Sequence, residues 1–192
     1  MAEGKQFEFQ IIAGDLKGRK IVAPDLGVTR PPLTRLRKSI FDYLMPYLVE
    51  STYLDLFSGT GSYLFEAVSR GATDAVGIEM EPLLAESINR QADGYGVAGR
   101  LRCLCEDVFE AVPKLAAQGK RFDIIMVAPP QYKHIIDKTS ILLREHPVLA
   151  PEGQIVCQHD SSESRRITWG DWQVHQQRKY GNTTYTVLGK AE

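Results

Sequence analysis

Apolar and polar positions alternate along most of this chain with two different periods. From residue 53 onward, short apolar runs typical of buried strands alternate with segments whose apolar residues recur every three or four positions, as in helices. The pattern predicts strands at 52–57, 75–79, 100–105, 122–128 and 153–159, helices at 62–71, 82–96, 108–118 and 133–146, a helical turn at 161–167, and a final hairpin of strands at 171–179 and 183–189. This order indicates the α/β class, with a doubly wound, mostly parallel seven-stranded sheet covered on both sides.

The first forty residues follow another pattern. Strand-like stretches at 7–13 and 20–23 predict a β-hairpin, and a proline-bearing loop at 29–32 leads to a helix. The apolar stripe predicted for that helix is Leu33, Leu36, Ile40, Tyr43, Leu44 and Tyr47, with Arg35 and Lys38 opposite. We expect a single domain, with residues 1–32 as an extension of a Rossmann-like core at 33–192.

A glycine turn follows the first strand of the alternating region. The apolar run carries an acid at Asp55, breaks at Gly59 and Gly61, and leads directly into a helix. Glycines there let a ligand approach the main chain and the free N–H groups of the helix start, although an ordinary strand-to-helix turn has the same pattern. Glu79 ends the next strand at about the spacing at which an acid binds ribose hydroxyls. Leu64 replaces the third glycine of the dinucleotide fingerprint, which favours a nucleoside ligand over NAD.

The fourth strand of the alternating region leads into Ala128-Pro129-Pro130-Gln131-Tyr132. In an open α/β sheet this strand end faces the same crevice as the glycine turn. Consecutive prolines are rigid and leave carbonyls that only accept, so the segment could hold an amino group while Tyr132 stacks on a base. A simple proline turn is the competing interpretation. Asp107, after the third strand, could accept from a ligand amine or cap the next helix, and the two roles are compatible.

Composition excludes several classes of protein. The 192 residues are 43% apolar and 24% charged with net charge −1, and no stretch resembles a signal peptide or a membrane span, so we expect a cytoplasmic protein. Residues 1–40 hold eight Lys or Arg against four Asp or Glu, a basic region suited to phosphates or simply a solvated face. The four histidines show no ligand spacing with cysteine or one another, so we expect no metal.

These motifs together resemble those of bacterial 16S ribosomal RNA guanine-N2 methyltransferases of the RsmD type. The likeness runs nearly end to end and is carried by the Ile-Ile-Ala-Gly-x-x-x-Gly-Arg-Lys opening at 11–20, Arg-Pro-x-x-x-Arg-x-Arg at 30–37 with Phe41 after it, the glycine turn at 55–61, Glu-Ala-x-Ser-Arg-Gly-Ala at 66–72, Glu79, Asn89, Asp107, Phe-Asp-x-Ile at 122–125, the paired prolines, and Lys-Tyr-Gly-Asn-Thr at 179–183. The opening, the Arg-Pro segment and the Lys-Tyr-Gly hairpin are the parts that point to this family.

The resemblance implies an S-adenosylmethionine-dependent methyltransferase of the class I fold. It would act as a monomer on ribosomal RNA or the small ribosomal subunit. It places Asp55, Phe57, Ser58, Gly59, Thr60 and Gly61 around the methionine part of the cofactor, Glu79 on the ribose, and Met80, Asp107 and Val108 at the adenine. It assigns the target guanine to Ala128, Pro129, Pro130, Gln131 and Tyr132. It assigns RNA phosphates to Lys17, Arg19, Lys20, Arg30, Arg35, Arg37, Lys38, Arg178 and Lys179.

The chain departs from the family pattern at two places. Ala128 and Gln131 stand where the family has Asp or Asn before the prolines and an aromatic residue after them, and Pro32 and Lys38 replace the usual Thr and Glu of the Arg-Pro segment. Two alternatives to a guanine-N2 methyltransferase therefore stay open: a non-catalytic S-adenosylmethionine-binding RNA or ribosome-assembly factor, and another nucleic-acid methyltransferase such as an adenine-N6 enzyme.

Overall fold

Two β-sheets and five helices make up the described part of the chain, which in the computed structural model is residues 5–27, 33–130 and 134–190. The strands are β1 (Gln6–Gln10), β2 (Lys20–Pro24), β3 (Thr52–Asp55), β4 (Asp74–Glu79), β5 (Leu101–Cys105), β6 (Phe122–Val127), β7 (Leu149–Asp160), β8 (Trp172–Tyr180) and β9 (Thr183–Lys190). The helices are α1 (Thr34–Leu48), α2 (Ser62–Ser69), α3 (Pro82–Gly94), α4 (Val108–Ala117) and α5 (Ile135–Glu145). No helix among these residues has both the length and the apolar character needed to cross a membrane.

The larger sheet has seven strands in the order β5-β4-β3-β6-β7-β9-β8. The five strands β5, β4, β3, β6 and β7 run parallel. At one end of the sheet, β9 pairs antiparallel with β7, and β8 pairs antiparallel with β9. Helices α1, α2 and α3 contribute to the hydrophobic cluster on one face of the sheet, and α4 and α5 to the cluster on the other face. The predicted doubly wound α/β fold is confirmed.

The central strands are apolar on both faces because helices cover both. In β3 and β6, Tyr53 and Ile124 project into one cluster, while Leu54 and Ile125 project into the other. All four side chains are fully buried. Burial of each such side chain contributes roughly 1.5–3 kcal/mol, which holds these two strands at the centre of the sheet.

The N-terminal hairpin, β1 paired antiparallel with β2, is fixed to α2 by a buried carboxylate. Glu66 accepts hydrogen bonds from the N–H groups of Ile12 at 3.0 Å and Ala13 at 3.1 Å. It also accepts from Nε of Arg70 at 2.8 Å. Because α2 is buried on all sides, a charge in it must be paired, and these contacts let Glu66 orient the hairpin loop against the helix.

Two further contacts hold the hairpin in place. The side-chain amide of Gln91 accepts from the N–H of Val22 at 2.8 Å and donates to its carbonyl at 2.9 Å, so α3 bonds to β2 as a neighbouring strand would. At the hairpin loop, Gly14 has φ of +85°, and a Cβ there would lie 1.7 Å from the Ser69 carbonyl oxygen. The loop can therefore approach α2 only because this residue is glycine.

Helix α1 buries a different stripe from the one predicted. Leu33 and Tyr47 are 65% and 47% exposed, and the buried residues are Leu36, Arg37, Ile40, Phe41, Leu44 and Leu48. Arg37 donates from Nη2 to the Gln10 carbonyl at 2.6 Å, and its guanidinium lies 5.0 Å from the centre of the Phe9 ring. The prediction that Arg37 faces RNA is corrected, because the hairpin covers this side chain.

The C-terminal hairpin of β8 and β9 forms as predicted, around Gly181 with φ of +58°. Strand β7 is longer than expected, since it begins at Leu149 and not at residue 153. An irregularity in its pairing with β6 separates the two parts. Gly153 lies at that point, where a Cβ would come within 2.7 Å of Leu149 Cδ1.

Candidate active site

The carboxyl ends of β3 and β6 lie side by side. Asp55 pairs with Met126 in the parallel register, and the N–H of Leu56 donates to the Met126 carbonyl at 3.0 Å. On its other side β3 pairs with β4, Asp55 opposite Gly77. The segments that follow β3, β4 and β6 therefore leave the sheet at one edge, at the point where strand order reverses. Ligands bind at this position in doubly wound sheets.

The glycine turn after β3 is tightly packed against its neighbours. Gly59 and Gly61 have φ of +51° and +81°, which side-chain-bearing residues rarely adopt. A Cβ on Gly61 would lie 2.8 Å from Ile88 Cγ1, and one on Gly77 of β4 would lie 2.5 Å from Ser58 Oγ. Helix α2 begins without a side chain capping its first N–H groups. Such groups are available to a polar ligand.

Glu79 joins the ends of β3 and β4. One carboxylate oxygen accepts from the N–H of Gly59 at 2.8 Å, and the other accepts from the N–H of Glu81 at 2.9 Å. Each oxygen keeps a second acceptor position. The same carboxylate can thus hold the glycine turn in shape and accept from hydroxyl groups of a ligand.

The carboxyl group of Asp55 is enclosed at the base of the turn. Its Oδ1 accepts from the N–H of Phe57 at 3.3 Å, whereas Oδ2 is buried with no hydrogen-bond partner among the described residues. Burial raises the pKa of Asp55 to about 7; the Phe57 bond opposes this shift and the Glu79 carboxylate adds to it. An unpaired buried acceptor in this position suits a cationic or hydrogen-bond-donating ligand.

The remaining predicted cofactor contacts lie around the same edge. Phe57 is half-buried, and Ser58 and Thr60 are buried within the turn. Asp107 accepts from the N–H of Phe109 at 2.7 Å, so its predicted role as a helix cap is confirmed, while a role toward a ligand stays a prediction.

Apolar side chains flank this edge after β4 and β5. Val108 is buried, whereas Met80 after β4 is 70% exposed. Phe109 in the first turn of α4 is 39% exposed and was not predicted from the sequence. Exposed apolar side chains such as Met80 and Phe109 could cover an aromatic ring.

The exit of β6 offers main-chain acceptors and a small side chain. Ala128 and Pro129 are half-buried and Pro130 is exposed. Ala128 packs against the cluster that contains Tyr53 and Tyr63. The predicted contacts Gln131 and Tyr132 lie outside the described residues.

A hydrogen bond that the sequence did not predict lies next to this exit. Tyr63 of α2 donates from its hydroxyl to Oε1 of Gln158 on β7. The two residues are 95 positions apart, and neither belongs to a recognisable motif. No local signal marks the pair, since only the packing of α2 across the sheet brings the residues together.

Seven of the nine predicted RNA contacts are exposed: Lys17, Arg19, Lys20, Arg35, Lys38, Arg178 and Lys179. Lys20 pairs with Glu8 at 2.9 Å, and the Arg19 guanidinium lies 4.8 Å from the centre of the Tyr95 ring. Arg30 lies outside the described residues, and Arg37 is buried as described above. The exposed Lys and Arg side chains lie on the two hairpins and on α1.

Comparison with known proteins gives consistent matches. The family model described as "Conserved hypothetical protein 95" matches residues 9–189. The chain is 29% identical over 180 residues to "Ribosomal RNA small subunit methyltransferase D" of Escherichia coli K12, covering 94% of this chain and 89% of that protein.

Solved structures agree in fold. A "putative methyltransferase yhhF" from Escherichia coli matches with a TM-score of 0.85 at 27% identity, over 96% of this chain and 98% of that one. An RNA methyltransferase from Salinibacter ruber, in complex with S-adenosyl-L-homocysteine, matches with a TM-score of 0.66 at 20% identity, over 85% and 95%. The fold is therefore that of the class I methyltransferases.

Proposed function

This chain belongs to the Conserved hypothetical protein 95 family, and we propose that it is an S-adenosylmethionine-dependent methyltransferase acting on ribosomal RNA of the small subunit. The observation that carries the proposal is the pairing of β3 with β6, which opens the glycine turn and the paired prolines onto one crevice. The name of the Escherichia coli relative supports the substrate, and the ligand of the Salinibacter structure supports the cofactor.

The β3 and β4 ends suit this cofactor chemically. The cofactor has a cationic ammonium group, a ribose diol and an adenine ring. The buried Oδ2 of Asp55 lacks a partner among the described residues and would balance the cation. Glu79 retains acceptor positions for the diol, and the exposed Met80 and the Asp107 region would flank the ring.

The chemistry needs positioning more than acid–base groups. When bound, S-adenosylmethionine would supply a methyl group from its sulfonium sulfur. The sulfur would keep the bonding electron pair as the amine nitrogen takes the methyl group, and the methylated nitrogen would then release a proton to water. An exocyclic amine is a poor nucleophile because its lone pair is delocalised into the base. Carbonyl acceptors on the rigid Pro129–Pro130 segment would hold its N–H bonds and direct the lone pair. Such positioning can supply about 7–11 kcal/mol of the barrier, and the base must first be turned out of its stack.

At the finer level, we propose that the target atom is the exocyclic N2 of a guanine. RNA phosphates would bind to residues 1–32 and to the exposed Lys and Arg side chains of α1 and the β8–β9 hairpin. Residues 33–192 would form the catalytic core. We propose that the chain acts as a monomer in the cytoplasm and that Gln131 and Tyr132 complete the base site. These assignments follow from the family resemblance and from the exposure of the basic side chains.

One observation favours a second candidate. Ala128 has no side-chain acceptor for a target amine, which is compatible with a ribosome-assembly factor that binds the cofactor without transferring its methyl group. The two functions differ in a directly measurable outcome.

The test combines cofactor binding with transfer. Purified protein is incubated with S-adenosylmethionine carrying a labelled methyl group and small subunits from cells that lack the gene, and the labelled nucleoside is identified by mass spectrometry. Label in N2-methylguanosine supports the full proposal, and label in another nucleoside corrects the target atom. Cofactor binding with no label in RNA, on naked RNA and on subunits alike, supports the assembly factor.

A further inference from the structure

Gln158 is the side chain of β7 that lies next to Ala128. The last pair between the parallel strands β6 and β7 is Val127 with Cys157, so the next residues, Ala128 and Gln158, follow side by side. Met126 and Val156, two positions earlier, both project into the cluster on the α2 face of the sheet. Because side chains alternate along a strand, Ala128 and Gln158 project to that same face.

The hydrogen bond from Tyr63 to Gln158 crosses the end of β6. Helix α2, which carries Tyr63, packs against β3 and β4, whereas β7 lies two strands beyond β3. Two strand spacings are about 10 Å, so the two long side chains must meet above the intervening strand. Ala128, the first residue after that strand, follows at this level. Its small side chain leaves room for the pair.

We propose that Gln158 replaces the acceptor that is missing at Ala128 and receives the target amine, and that Tyr63 is the positioning residue that orients it. This inference rests on the proposed function. Gln158 is only half-buried, at the open edge of the sheet, and its Oε1 keeps one acceptor position after the bond from Tyr63. Its Nε2 has no hydrogen-bond partner in the described part of the chain, so the amide can also donate.

The amide defines a substrate class. Oε1 can accept from an exocyclic N–H while Nε2 donates to an adjacent ring nitrogen, which is the bidentate pattern that Gln and Asn use on bases. Guanine presents N2–H beside N3, and adenine presents N6–H beside a ring nitrogen. A ribose hydroxyl or a ring carbon offers no such pair. The site therefore suits a nucleobase with an exocyclic amino group next to a ring nitrogen.

Strand β7 contains a matched control on the same face. Gln154, four residues before Gln158, accepts from the hydroxyl of Tyr43 at 3.1 Å. The two glutamines are about 13 Å apart along the strand, and Gln154 lies away from the carboxyl edge. Both pairs join a helix tyrosine to β7, so removal of either should perturb packing similarly.

The experiment compares Gln158→Leu, Gln158→Glu and Gln154→Leu in the full chain. We measure kcat and KM on hypomethylated small subunits, cofactor affinity by calorimetry, and thermal unfolding. We expect Gln158→Leu to lower kcat about tenfold, with KM and cofactor affinity unchanged, because one hydrogen bond in the transition state is lost. Gln158→Glu keeps an acceptor for the amine but loses the Nε2 donor, so it should retain more activity than Gln158→Leu and less than the wild type. In the Gln158→Leu background, Ala128→Asn should restore part of kcat.

The outcomes separate this inference from the proposed function. A wild-type chain that binds cofactor but transfers no methyl group overturns both. A wild-type chain that transfers, while Gln158→Leu is as active as Gln154→Leu, overturns this inference alone. Equal losses of activity and stability in both Leu variants give the pair a structural role only, and likewise overturn it.

Discussion

The two halves of the crevice are held by different kinds of contact. On the β3–β4 side, Glu79 bonds main-chain N–H groups within a stretch of about twenty residues, and glycines with positive φ shape the turn. On the β6–β7 side, the contact is a bond between two side chains, Tyr63 and Gln158, that are far apart in sequence.

This difference has a functional consequence. A turn shaped by its main chain tolerates few substitutions. Adding a single Cβ to a glycine in the half assigned to the cofactor should therefore weaken cofactor binding. Side chains can be exchanged without a change of fold, so the half assigned to the RNA base can vary its acceptor, as it does at Ala128. The comparison can be tested from either side.

The largest effect is expected for Glu79→Ala. The variant removes the acceptor for two main-chain N–H groups and for the ribose, and charge-assisted bonds are worth roughly 1.5–3 kcal/mol each, so cofactor affinity should fall at least about 100-fold. Calorimetric titration with S-adenosylhomocysteine measures it. Glu86→Ala, an exposed carboxylate on α3, is the control and should bind normally. Normal binding by Glu79→Ala would mean that the two halves are not distinguished in this way.

Gly61→Ala tests the intolerance of the glycine turn directly. Its φ of +81° and the 2.8 Å approach to Ile88 should together cost about 1–2 kcal/mol or more of unfolding free energy. Cofactor affinity should fall about tenfold or more as the turn shifts. Chemical denaturation and calorimetry report the two quantities. Gly99→Ala, where a Cβ meets nothing within 4 Å, should be neutral or slightly stabilising, and an equal loss there would refute the argument.

Asp55 makes the cofactor half sensitive to pH. With its pKa raised to about 7, the free protein must ionise this carboxyl to balance a cation, so cofactor affinity should fall about tenfold for each pH unit below 7. Stability has the opposite sign: the contribution of a group with a raised folded pKa is complete below the unfolded pKa near 3.8 and is lost as pH rises through about 7.

The isosteric variant Asp55→Asn should therefore lose the part of each pH profile that Asp55 contributes. It should be more stable than the wild type above pH 7 and should bind the cofactor weakly at every pH. Titrations and melting curves between about pH 5 and 8 check this. A wild-type affinity independent of pH would place the cation elsewhere.

The smallest effects are expected on the RNA side. Lys17→Ala and Lys179→Ala should each weaken RNA binding a few-fold and reduce the slope of log affinity against log salt by about 0.7–0.9. Filter binding at several salt concentrations measures the slope. Lys120→Ala, at the opposite edge of the sheet, should leave it unchanged. A normal slope in both test variants would show that the two hairpins are not part of the RNA-binding surface.

Particular residues show how much of the structure could be predicted from the sequence. The glycine turn, Glu79 and the paired prolines were placed at one edge from strand order alone, because a parallel sheet fixes which strand ends share a side. Arg37 was misjudged, because its burial depends on where the hairpin packs. At Glu66, a charged residue in an otherwise apolar helix is the local signal of a buried, paired carboxylate.

The sequence by itself determined the order of strands and helices, the doubly wound fold, and the motif that forms the cofactor half of the crevice. These features depend on local periodicity and on glycine, which act over a few residues. Only the tertiary structure brought Tyr63 to Gln158 and enclosed Glu66 with Arg70, because such pairs form when distant elements pack. No spacing along the chain encodes that distance.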